Sequence, residues 1–188
     1  NRSVLGTLAA PLGPSEAVLL ERSSVLEVVI TAGDPLFLSA TAAGLAGGGN
    51  RLLVGNEVLQ FTAAEMMQES RWILRGLLRG RGGTELAAQL GHHQGTAVTL
   101  LDDSLIALDP AIVPSSDMTS LAAIGRGDDS PVFASLENAG VTLRPLAPAH
   151  PRAIKRPDGS LELGWTRRSR GAWDWPDEVE VPLFEQSE

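Results

Sequence analysis

The sequence has no cysteine and no tyrosine, and Lys155 is the only lysine among its 188 residues. Without cysteine there is no disulfide framework and no thiolate metal site, and the redox compartment leaves no mark. Aromatic residues make up 4% of the chain, so a core must be built from Leu, Val, Ile and Ala. No apolar run approaches the roughly 18 residues of a membrane-spanning helix. Positive charge is scarce too, and the formal net charge is −8. A nucleic-acid partner would need clustered Lys and Arg to replace counterions around phosphates. Here the arginines stand in two clusters balanced by neighbouring acids, which argues against nucleic acid.

Punctuation is plentiful. With 20 Gly and 12 Pro, the chain is interrupted every few residues, which suits short strands and turns better than long helices. The composition therefore predicts a mainly β fold. The length allows one ordinary domain with a small second one. The chain opens on Asn1 with no charged-then-apolar leader, as expected of a segment of a longer polypeptide.

Residues 1–22, with Pro11, Gly13 and Pro14, read as extended or looped. Val25-Leu-Glu-Val-Val-Ile30 is a β-branched run, with Leu36-Phe-Leu-Ser-Ala40 as its expected partner strand across a Gly-Asp-Pro turn. Residues 42–50 read as a glycine-rich loop. Arg51-Leu-Leu-Val54 and Glu57-Val-Leu-Gln-Phe61 flank Gly55-Asn56, and both turn residues tolerate positive φ, so a tight hairpin is expected. A second hairpin turns at residues 68–70 and returns along Trp72-Ile-Leu-Arg-Gly-Leu-Leu78. Strand alternation would put Ile73, Arg75 and Leu77 on one face. Thr84 and Gly91 bracket a short helical pattern, and residues 95–101 form a further strand. A looser stretch begins at Asp109, with weak strand candidates at 132–135 and 141–143.

Three prolines between Pro145 and Pro151 make a stiff connector, separating a β-rich domain (1–144) from a segment at 152–188. In that segment Pro157-Asp-Gly-Ser160 joins two alternating runs, a strong hairpin signal. The run ending in Trp165 is similar to the opening strands of a fibronectin type III-like sandwich, where a Trp anchors the core. Three strands are too few to close one, so this second domain is expected to be truncated.

Groups that might carry chemistry point to bland roles. His92 and His93 are adjacent, so in an extended segment they face opposite ways and do not share an ion. The carboxylate pairs Asp102-Asp103, Asp128-Asp129 and Glu178/Glu180 lack the alternation of a calcium loop and the spacing of an acid–base pair. There is no nucleophile elbow, and the glycine run at 45–50 lacks the Lys-Ser/Thr ending of a phosphate loop. The sequence predicts no enzyme activity, no metal and no cofactor.

What remains is the arginine segment. Arg75, Arg79 and Arg81 stand among Gly76, Gly80, Gly82 and Gly83. A planar guanidinium bonds carboxylates or several carbonyls at once and stays charged when partly buried. At least one of the three is expected to act as a structural clasp, on loop carbonyls or on an acid such as Glu85.

The strand Gly55-Asn-Glu-Val-Leu-Gln-Phe61 and the run from Trp72 to Glu85 resemble elements near the C-terminal end of the host-specificity proteins of gene transfer agents and related prophage tails. A "PLAP" connector at 145–148, a strand at 158–170 ending Trp-Thr-Arg-Arg-Ser-Arg, and a Val-Pro-Leu element at 181–185 follow in the same order. The resemblance covers residues 50–188 well and the first fifty loosely. It implies a structural module of a tail tip or baseplate hub, made in the bacterial cytoplasm and carried on the virion or virus-like particle. Its implied partners are other tail proteins, in a homotrimer about the tail axis. A β-sandwich module binding a host cell-surface glycan is the alternative. Trp173 and Trp175 would then contact the sugar or a neighbouring chain, while Trp72 and Trp165 are expected in the core.

Overall fold

The computed structural model describes residues 4–33, 37–68, 70–103, 105, 106, 108, 118–137, 140, 141, 146 and 148–166. The chain is mainly β. Strands β1 (Leu5–Leu8), β2 (Glu21–Ala32), β3 (Arg51–Val54), β4 (Glu57–Gln68), β5 (Arg71–Arg81) and β6 (Ala97–Leu100) close into a barrel in the order β1-β2-β5-β4-β3-β6. Every pairing around it is antiparallel. Two short helices, α1 (Ala42–Ala46) and α2 (Glu85–Leu90), accompany the barrel. Two further hairpins follow in sequence: β7 (Met118–Ala123) with β8 (Val132–Glu137), and β9 (Ala149–Lys155) with β10 (Leu161–Thr166). The chain divides into two units, residues 106–144 and the remainder. Among the described residues no helix is long and apolar enough to cross a membrane.

Strand alternation explains the barrel interior. Leu26, Val28 and Ile30 of β2 and Leu52 and Val54 of β3 point inward at every second position. Leu8, Leu59, Phe61, Leu74, Leu77 and Val98 complete a filled core. Each fully buried aliphatic or aromatic side chain contributes roughly 1.5–3 kcal/mol relative to exposure, so the core dominates folding.

Both expected hairpins between Arg51 and Leu78 are present. Val54 pairs with Glu57 across Gly55-Asn56, and β4 pairs with β5 along their length. Several expectations are corrected. Residues 37–40 are not a strand beside β2, whose neighbours are β1 and β5. Phe37 is instead buried, meeting Phe61 and Trp72 edge-on at 5.7 and 5.2 Å. Residues 1–22 contain β1 and the start of β2. The glycine-rich stretch holds α1, because the Thr41 hydroxyl accepts the Gly44 N–H as an N-cap. The stretch expected to be loose after Asp109 includes β7.

On β5, Arg75 is exposed although Leu77 is buried. Simple alternation fails because Gly76, at φ +62°, lets the strand change which side faces inward. Trp72 is partly buried as part of the aromatic cluster, but Trp165 is 56% exposed and does not lie in a core among the described residues. The β9–β10 turn is held by Asp158, whose carboxylate accepts from the N–H and hydroxyl of Ser160. Those two bonds hold the Asp158 carboxyl below its usual range.

Candidate functional site

Glu57 is the first residue of β4, directly after the tight turn, and it is completely buried. A buried carboxylate needs donors on both oxygens. Arg79 of β5 supplies two: Nε donates to Oε1 at 2.6 Å and NH2 to Oε2 at 2.8 Å. The backbone N–H of Gly80 adds a bond to Oε1 at 2.9 Å. His92 Nε2 stands 2.7 Å from Oε2. An ionised carboxylate only accepts, so this contact puts the hydrogen on Nε2.

Arg79 is 1% exposed, and its remaining donor reaches outward to a loop. NH1 donates to the Gly13 carbonyl at 3.0 Å and lies 3.9 Å from Glu21 Oε2. Glu21 accepts in turn from the Ser15 hydroxyl, which itself accepts from the Ala17 N–H. The same loop is stitched to the segment after α2, since Leu12 and His92 exchange backbone bonds of 2.9 and 2.8 Å. One guanidinium therefore joins β4, β5 and the 12–17 loop, with His92 bonded to the carboxylate it holds.

Local sequence sets this geometry. Arg79 shares the inward face with Leu77, two residues earlier. At Gly80, φ is +61°, and between the pairs Val58–Arg81 and Gln60–Leu78 two residues of β5 (79 and 80) stand against one of β4 (59). This bulge turns the Gly80 N–H onto Glu57 and re-aims the strand. Beyond it, Arg81 Nε donates to Gln60 Oε1 at 3.0 Å. Gln60, also completely buried, donates to the carbonyls of Leu45 and Gly49, fixing α1 and the glycines after it. The Thr84 hydroxyl does not cap α2. It accepts from Val58 N and donates to Arg81 O.

Of the residues singled out from sequence, Arg79 sits at the centre, Arg81 stands next to it, and Glu85 is buried at the start of α2. Arg75 is exposed, away from the cluster. The carboxylate that holds Arg79 is Glu57, which the sequence placed with Gln60 only in a hairpin strand; His92 was weighed only as a metal ligand, and Ser15 and Glu21 were not singled out. A signal was there: Glu57 and Gln60 interrupt an apolar run in a strand buried on its inner face. Trp173 and Trp175 lie outside the described residues. Asp128 accepts from the Gly125 N–H within a turn, and His93 is exposed. Among the described residues no group of three or more His, Asp or Glu is placed to hold a metal ion.

The arrangement suits a lock better than a reaction centre. Glu57 and His92 have the chemistry of a base and its partner, but four donors occupy the Glu57 oxygens and the carboxylate is out of solvent. A general base must reach the proton it abstracts. No curated protein matches the chain. A family model described as "Rcc01698-like, C-terminal" matches residues 3–99, which span nearly the whole barrel and both helices.

Proposed function

The chain belongs to the Rcc01698-like, C-terminal family, and on that premise we propose that it is a non-enzymatic structural module of a phage-like tail tip or baseplate hub. The observation that carries the reading is where the signature residues fall. Glu57, Gln60, Arg79 and Gly80, which carry the resemblance to gene transfer agent and prophage host-specificity proteins, are bonded to one another or to neighbouring segments, and the three side chains are buried. A signature buried in this way preserves shape, as a module that holds hub geometry requires. In this reading the chain assembles as a homotrimer with other tail proteins, in a virion or virus-like particle made in the bacterial cytoplasm. Particles released by the bacterium that encodes the chain should bind gold-labelled antibody against residues 1–105 at the tail tip. Label absent from the particles, or spread over the capsid, would overturn the proposal.

The β9–β10 hairpin is proposed as the opening of a fibronectin type III-like sandwich. Leu161, Leu163 and Trp165 occupy every second position of β10 and are all exposed. A second sheet laid on them would bury that row. The exposure of Trp165 also favours a second reading, in which the hairpin binds a host cell-surface glycan by stacking the sugar on the indole. A glycan array separates the two. Binding that disappears in Trp165→Ala supports the glycan reading, and an array without signal removes it.

A further inference from the structure

The loop that joins β7 to β8 is braced at its tip. The Asp128 N–H returns to the Gly125 carbonyl at 3.1 Å, closing a turn with Arg126 and Gly127 at its centre. Gly127 has φ +95° and Arg126 is not left-handed, the pattern of a type II turn, whose third position favours glycine. The Asp128 carboxylate folds back onto the same turn, where Oδ2 accepts the Gly125 N–H at 2.7 Å. A Cβ on Gly125 would stand 2.6 Å from that oxygen, so glycine is needed there too. Both glycines of Gly125-Arg-Gly-Asp128 thus have a structural reason. Arg126 has none. It is exposed, and its guanidinium has no hydrogen bond or ion pair among the described residues. It is also the only Lys or Arg between Arg81 and Arg144 in a chain of net charge −8.

We propose that Arg126-Gly127-Asp128 is an adhesion site for a protein receptor of the integrin type, one that offers a carboxylate to the guanidinium and a divalent metal ion to Asp128. The turn is formed before contact, so binding orders little more than the Arg126 side chain. A planar guanidinium pairs with a receptor carboxylate through two parallel bonds. Asp128 is limited in a way that selects its partner. Oδ2 is held by the Gly125 N–H, which leaves Oδ1 to face the receptor. One free oxygen cannot complete a two-oxygen fork with a receptor arginine. It can fill a single open position on a hard divalent cation. A Cβ on Gly127 would meet nothing within 4 Å, so the backbone between the two charges is open to close approach. Such a site stands or falls independently of the tail-tip reading.

Surface plasmon resonance of the full chain over an immobilised Arg-Gly-Asp-binding integrin ectodomain, with Mn²⁺ in the buffer, tests the site. The parent should bind saturably, and EDTA should remove the binding. Asp128→Glu keeps the charge but displaces the oxygen, and should abolish it. Arg126→Lys, which cannot disturb a fold that makes no use of the guanidinium, should weaken binding roughly tenfold through loss of the paired bonds. Asp129→Asn should bind like the parent, and all three variants should melt with it. A parent that gives no saturable signal overturns the proposal. So does binding that survives EDTA or Asp128→Glu, since neither the metal nor the placed oxygen would then be in use. Equal losses in Asp128→Glu and Asp129→Asn overturn it as well, because the receptor would then be sensing acidity and not this turn.

Discussion

Taking Glu57 and Arg79 out of water costs several kcal/mol per ion, and their attraction offsets this with the help of further bonds, from the Gly80 N–H and His92 to the carboxylate and from Arg79 NH1 to the Gly13 carbonyl. The consequence is asymmetric. Glu57→Gln leaves the guanidinium buried without its carboxylate and should lower stability by about 3–5 kcal/mol. Replacing both residues with apolar ones of similar volume, Glu57→Leu with Arg79→Met, should cost less than the single change, because no uncompensated charge remains. Arg71→Ala serves as the surface reference. Its pair with Glu27 is 44% and 29% exposed, and breaking it should cost under about 1 kcal/mol. Urea midpoints of the four proteins decide the matter. If the double variant is as unstable as Glu57→Gln, the lock stabilises the fold outright instead of specifying its geometry.

Elements depend on residues that have no side chain. Gly80 and Gly82 have nearly the same φ, +61° and +65°, but different surroundings. A Cβ on Gly82 would meet nothing within 4 Å, whereas one on Gly80 would come within 2.6 Å of the Ala17 Cβ and 3.0 Å of the Glu85 Cα. Gly82→Ala should therefore cost about 1 kcal/mol from backbone strain alone. Gly80→Ala adds a collision and the loss of a bulge that aims Arg79, and should cost roughly 2–4 kcal/mol. Thermal midpoints that shift equally for the two would show that packing around Gly80 is slack. These positions also show where sequence reading stops. The Gly55-Asn56 turn and both flanking hairpins were legible, since turn chemistry and alternation are local. The inward turn of Arg79 was not. It depends on a change of phase at Gly76 and a bulge at Gly80, and alternation counted from Trp72 cannot register either. Glu57 as its partner was hidden for a related reason: 22 residues separate the two, and only the register of β4 on β5 brings them together.

At the scale of the molecule, closure was the least legible feature. Six strands with alternating patterns fit a sandwich as well as a barrel, and what separates the two is the pairing of β1 with β6, strands about ninety residues apart. That pairing also governs how the barrel bears load. Leu5, at the start of β1, pairs with Thr99, and the Leu100 N–H donates to the Val4 carbonyl at 3.0 Å. The chain therefore comes into the barrel and leaves it side by side at one end. Tension between the flanking segments pulls β1 and β6 apart from that end, breaking their ladder one rung at a time instead of shearing it all at once. The barrel adds almost nothing to the span of a taut chain, and its weakest line under force is the seam that closes it.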